Sequence, residues 1–220
     1  MMSIRVCVAD DHALFRRLIS DMISKFDGID PAVGEASNGK ELLDLMTRHT
    51  YDVVVVDLSM PVMDGKRAAG HILKNHPNAK VVVLSMNDSP PVILDLMRMG
   101  VHGYLNKNVD PAEVEKAIKG VYRNDFYHNE LTAGALRLAA KTKSAAVQPK
   151  RQNLSARELE ILVRICSEQT SREISEDLHI SPKTVEHHRI SILKKVGVRN
   201  TVGLIKFAYE QGILSLDSSN

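Results

Sequence analysis

Five side chains in the first half of this 220-residue chain fall where chemistry can be done. Asp10 and Asp11 follow the apolar run Val6-Cys7-Val8-Ala9, and Asp57 follows Val53-Val54-Val55-Val56. Ser85 closes Val81-Val82-Val83-Leu84, and Lys107 follows Gly103-Tyr104-Leu105-Asn106. Clustered carboxylates repel one another unless a cation joins them, and an oxygen-only site of this kind suits Mg2+. An aspartate can attack phosphorus to form an aspartyl phosphate, while a metal ion and a lysine neutralise the transferred group. Asp57 is the best nucleophile, because Leu58-Ser59-Met60-Pro61 makes a tight connection after it; Ser85 and Lys107 then grip phosphoryl oxygens. The plainer reading, that Asp10, Asp11 and Asp57 only cap helices, suits any one of them but not the ordered set of five.

Those positions must be held by strands and helices in alternation. Strand candidates are Ile4 to Ala9, Ala32 to Ala36, Val53 to Val56, Val81 to Leu84 and Gly103 to Leu105. Runs apolar on both faces suit a parallel sheet covered by helices on each side. Phe15, Leu18, Ile19, Met22, Ile23 and Phe26 recur at helical spacing, and further helices are expected from Lys40 to Arg48, Lys66 to Asn75, Pro91 to Met99 and Pro111 to Arg123. Five strands and five helices predict a doubly wound α/β domain with its ligands at the carboxyl ends of the strands. Val92 to Met97 is apolar around most of its circumference; core burial and a partner surface both account for that.

The composition then changes. Residues 129–152 read as a linker rich in Ala, Lys, Gln and Ser, whose first half could form a short helix, and residues 153–220 read as purely helical. Helices are expected near 156–166, 171–178, 182–196 and 201–210. Ser155 with Glu158 and Thr170 with Glu173 have capping-box spacing, and Ser181-Pro182 is an N-cap followed by proline. The net charge of +2 divides into −2 over residues 1–128, +4 over the linker and 0 over the tail. Within that tail, residues 181–199 hold Lys183, Arg189, Lys194, Lys195 and Arg199 against Glu186 alone, a local basic element of the kind a nucleic-acid contact needs. A short helix, a turn at His179-Ile180-Ser181 and a longer helix have helix-turn-helix arithmetic. At about 100° per residue, Val185, Ile192 and Val196 form a narrow buried stripe, with Lys183, His187, Ile190 and Lys194 on the far side.

VADDH at 8–12, DLSMPVMDG at 57–65, VLSM at 83–86 and GYLNK at 103–107 resemble the receiver domain of two-component response regulators. LSARELEIL at 154–162, SREISEDLHISPKTVEHHR at 171–189 and KKVGV at 194–198 resemble the DNA-binding domain of the NarL/FixJ (LuxR-type) regulators. The resemblance implies a flavodoxin-like receiver over 1–128 and a small four-helix helix-turn-helix domain over 153–220. It implies phosphoryl transfer from a sensor histidine kinase onto Asp57, with Mg2+ held by Asp11, Asp57 and the backbone carbonyl of Ser59, and Asp10 assisting through water. Tyr104 occupies the family's aromatic switch position. Glu186, His187 and Ile190 match base-reading positions, with Thr184 beside them, and Lys183, Lys194 and Lys195 match phosphate contacts. Glu186 stands where many members carry lysine; it can accept from cytosine N4, or pair with Arg189 or Arg172. Glu168 replaces a common glycine, and Val196 replaces a leucine.

The expectation is therefore a transcription factor, not an enzyme, that is switched by phosphorylation and binds double-stranded DNA as a homodimer. A small-substrate phosphatase generally needs a second carboxylate two residues after the nucleophile, where this chain has Ser59. A phosphorylation-independent DNA-binding or interaction protein with a degenerate receiver is the remaining alternative. No run of 18 apolar residues exists, and an acidic pair precedes any signal-like region, so a cytoplasmic protein without membrane association is expected. Cys7 and Cys166 read as buried small hydrophobes rather than a disulfide.

Overall fold

In the computed structural model the described residues are 3–143, 154–167, 169–198 and 201–214, and they divide into two compact units, Met1–Tyr127 and His128–Asn220. The first unit is built on five strands, β1 (Val6–Ala9), β2 (Gly34–Ala36), β3 (Val53–Val56), β4 (Lys80–Ser85) and β5 (Gly103–Asn106). They pair in the order β2-β1-β3-β4-β5, every pair parallel. The valines of β1, β3 and β4 are buried on both faces of the sheet, which is why these strands carry no polar alternation. The intervening helices are α1 (Ala13–Ile23), α2 (Gly39–Arg48), α3 (Gly65–Asn75), α4 (Pro90–Met99) and α5 (Pro111–Asn124).

Local chemistry fixes the ends of these helices. Asn38, Asp64 and Asp110 each accept a backbone N–H at the start of α2, α3 and α5, and Gly100 ends α4 at φ 107°. Burial accounts for half of the apolar circumference of α4: Ile93, Leu96 and Met97 are fully enclosed, whereas Val92 and Leu94 are only half-buried. The strand order reverses between β1 and β3, so the crevice of this sheet opens at their carboxyl ends, immediately before Asp10 and Asp57.

The second unit is helical: α6 (Glu130–Lys143), α7 (Ala156–Cys166), α8 (Ser171–Asp177), α9 (Pro182–Val196) and α10 (Thr201–Glu210). Both expected capping boxes are formed, and Ser181 Oγ accepts from Thr184 N at the start of α9. Ile161, Leu162, Ile174, Val185, Ile192, Val196, Leu204 and Ala208 make the core. The turn between α8 and α9 passes through His179 at φ 52°, a left-handed backbone that a histidine tolerates better than a β-branched residue.

Within the expected linker over 129–152, the helix allowed for the first half is present and is longer than a short one. Residues 130–143 form α6, a full helix packed against α10, with Thr132, Ala135 and Leu136 buried. Asn129 starts it: its Oδ1 accepts from Thr132 N at 3.1 Å, and Asn129 N donates to Thr132 Oγ1 at 2.9 Å. That reciprocal Asn-x-x-Thr cap lacks the glutamate of the usual capping box, and so gave a weaker signal. The remainder of the expected linker, with Glu168 and Arg199, lies outside the described residues.

Candidate functional site

Asp57 ends β3 with its backbone N–H donated to Ala9 O at 2.9 Å, so the carboxyl ends of β1 and β3 are held side by side. Asp10 and Asp57 are only 2 % and 4 % exposed. Lys107, from the loop after β5, donates from Nζ to Asp10 Oδ2 at 2.6 Å and to Asp57 Oδ2 at 2.8 Å, and lies 4.8 Å above the Phe15 ring. Burial works against the lysine charge, but the hydrogen bonds to Asp10 and Asp57 outweigh it and raise its pKa. The other Asp57 oxygen accepts from Leu58 N at 2.7 Å, which fixes the carboxylate's rotation.

Asp11 lies exposed at the mouth of the pocket. One ligand atom from each of Asp10, Asp11, His12 and Asp57 lies within 4.8 Å of the others. His12 was not anticipated from the sequence; its Nδ1 is 3.0 Å from Asp11 Oδ1, and its backbone N–H donates to Asp10 Oδ1 at 2.8 Å. The three carboxylates are a hard-oxygen set that fits a small divalent cation such as Mg2+. Ser59 is two residues after Asp57 on the exposed loop leading to α3.

Gly65, the last residue of the DLSMPVMDG segment, is a further site residue. A Cβ built on it would lie 1.8 Å from the Asp57 carbonyl oxygen and 3.0 Å from Leu58 Cα, so only glycine lets α3 begin this close to the strand end. The turn that brings it there holds Val62 at φ 66°.

Ser85 and Tyr104 are coupled. Ser85 Oγ accepts from Asn87 N at 3.3 Å, and the buried Tyr104 hydroxyl donates to Asn87 O. Burial raises the Tyr104 pKa, partly offset by a hydrogen bond with Ser85. Asn87 is therefore the joint between the serine and the aromatic ring, a role that spacing alone did not reveal.

In the second unit α9 presents the expected faces. Lys183, Thr184, His187, Ile190, Lys194 and Lys195 are exposed, while Glu186 and His188 are half-buried. Thr184, Glu186 and Lys195 have partners within the protein, Thr184 Oγ1 lying 2.8 Å from Ser181 Oγ. Glu186 accepts from Ser171 Oγ, and its Oε1 lies 3.8 Å from Arg189 Nη1; Arg172 pairs instead with Glu176. Lys195 Nζ donates to Glu158 Oε2 at 2.8 Å. Glu158 also accepts from Ser191 Oγ at 2.9 Å and from Ser155 N at 2.8 Å, and this set, led by Lys195, lowers its pKa to about 2. Cys7 and Cys166 are both free thiols, each pushed up to about 12 by burial.

A doubly wound sheet with a lysine-bridged aspartate pocket thus stands in one chain with a helix-turn-helix whose second helix is basic outside, the two-part organisation of a DNA-binding regulator with a separate receiving domain. Residues 6–119 match the response regulator receiver domain, and residues 152–208 match the LuxR family of bacterial regulatory proteins. The chain is 32% identical over 220 residues to the response regulator UvrY of Escherichia coli K12, covering 98% of each chain. It is 34% identical over 216 residues to the response regulator GacA of Pseudomonas viridiflava, covering 96% of this chain and 98% of that one. Among solved structures it resembles the response regulator ChrA of a heme-sensing two-component system, with a TM-score of 0.52 and 31% identity over 97% of this chain and 100% of that chain. The chain belongs to the two-component response regulators that carry a LuxR-type DNA-binding domain, and it is a transcription regulator rather than an enzyme. No described helix is long and apolar enough to cross a membrane.

Proposed function

We propose that Asp57 accepts a phosphoryl group from a sensor histidine kinase and that this controls DNA binding by a homodimer in the cytoplasm. The observation that carries the reading is the bridge from Lys107 to Asp57 at 2.8 Å and Asp10 at 2.6 Å in a buried pocket at the strand ends. An Asp57 carboxylate oxygen attacks phosphorus, the bond from phosphorus to the kinase imidazole breaks, and the imidazole leaves with its electron pair. Mg2+ held by Asp11, Asp57 and the Ser59 carbonyl, with Asp10 assisting through water, would neutralise the phosphoryl oxygens. Lys107 follows the charge from the Asp57 carboxylate to the phosphoryl group. The Ser85 hydroxyl binds a phosphoryl oxygen and gives up its bond from Asn87 N, which frees the carbonyl that anchors Tyr104.

On the DNA side, Lys183 and Lys194 grip phosphates, and Thr184, His187 and Ile190 face the bases; their exposure on one side of α9 supports this. Lys195 reaches DNA only by leaving Glu158, and Glu186 only by leaving Ser171. An acyl phosphate or beryllofluoride with Mg2+ should raise the DNA affinity of the native protein and leave Asp57→Ala unchanged. Equal binding with and without the activator overturns the switch and leaves DNA binding standing.

A further inference from the structure

Helix α9 has two opposed faces. At about 100° per residue, Val185, Ile192 and Val196 share one line, and Lys183, His187, Ile190 and Lys194 share an arc of about 60° on the opposite side. The first line is core. In the second, Ile190 is 63 % exposed, the most exposed large hydrophobic residue among those described in this unit. It lies between His187, one turn before it, and Lys194, one turn after it, both exposed. The one carboxylate of α9, Glu186, is held by Ser171, and its Oε1 lies 3.8 Å from Arg189 Nη1; Arg189 Nη2 donates to Thr201 Oγ1 at 2.8 Å.

An aliphatic, β-branched side chain in the middle of a basic stripe offers no hydrogen bond. The only apolar group that a base presents in the major groove is the C5-methyl of a pyrimidine, and the flanking lysines select a polyanion as the surface that covers the isoleucine. We propose that Ile190 reads a pyrimidine 5-methyl group in each half-site, and that Glu186 acts as a strut between α8 and α9 rather than as a base reader. The inference rests on DNA being bound through α9 and names what that helix recognises. Two sources carry the group, thymine and 5-methylcytosine, and both present it at the same place in the groove.

The test uses the full-length protein and a duplex selected by it from randomised DNA, measured with and without beryllofluoride and Mg2+. Each dT of the selected duplex is replaced singly by dU, which removes the methyl and keeps the base pair. One position in each half-site should weaken binding about fourfold, the effect of one buried methyl-sized group. Ile190→Ala should bind the dT and dU duplexes alike, with an unchanged melting temperature because the side chain is exposed. Placing dC at the sensitive position should weaken binding, and 5-methyl-dC should restore part of it; restoration without any dT dependence assigns the group to methylated cytosine. A duplex that binds but shows no methyl dependence, or an Ile190→Ala protein that keeps the dU penalty, overturns the proposal. Failure to select any duplex overturns the DNA-binding reading itself, and the inference with it.

Discussion

Glu158, at the N-terminus of α7, accepts from Lys195 Nζ near the end of α9 at 2.8 Å. The glutamate is 4 % exposed and also closes the capping box of its own helix, so one carboxylate joins the start of α7 to the end of α9. Removing the charge with Glu158→Gln should cost about 1.5–3 kcal/mol, the worth of charge-assisted bonds. The pH dependence has a definite sign: the carboxyl titrates near 4.5 when unfolded and about 2 when folded, so its contribution is full above 4.5 and is lost as pH falls through 2. Acid titration of the helical signal should show this loss in the native protein and not in Glu158→Gln.

Lys107 is the cation that lets Asp10 and Asp57 be buried together. Lys107→Ala should destabilise the receiver by about 3–5 kcal/mol, the cost of leaving buried charge unpaired. Mg2+ at millimolar concentration should recover more melting temperature in this variant than in the native protein, because the ion takes over the neutralising role. Equal recovery in both, measured against EDTA, would refute that division of labour.

Gly65 lies so close to Asp57 that a methyl group has no room beside the carbonyl oxygen. Gly65→Ala should push the end of β3 away and destabilise the domain by about 1–3 kcal/mol. Phosphoprotein formed from an acyl phosphate should fall sharply even where the variant is folded, whereas Gly134→Ala, which meets nothing within 4 Å, should leave it unchanged.

His102 sits between β4 and β5 with its Nδ1 accepting from Val81 N at 3.0 Å. Burial, helped by Lys80 and opposed by Asp125, lowers its pKa from 6.5 to about 4. The unfolded chain therefore binds a proton that the folded chain refuses between those values, and stability falls as pH drops from 6.5 to 4. Urea denaturation at pH 7.5 and 4.5 should show a smaller loss for His102→Gln than for the native protein.

Valine runs were enough to place β1, β3 and β4, because a strand buried on both faces carries no polar position to blur it, whereas β2, Gly34-Glu35-Ala36, was placed by its position between two helical stripes. It was also enough to place Asp10, Asp57, Ser85 and Lys107 at one end of the sheet, since parallel strands present their carboxyl ends together. Helix α6 was less legible: its stabilising contacts come from α10, about seventy residues later, and its cap lacks the usual glutamate.

The sequence by itself therefore determined the five strands of the first unit, the four helices from α7 to α10 and the order of charged residues at the strand ends, all of which follow from local periodicity and from what ends each strand. Tertiary structure alone decided which charges remain available. Lys195 and Glu186 look alike as surface charges in a linear reading, yet Glu158, 37 residues before the lysine, and Ser171, 15 before the glutamate, engage them. Gly65 is required by the carbonyl of Asp57 and not by its own turn. Such partnerships depend on distances between separate segments, and those distances exist only once the helices and strands have packed.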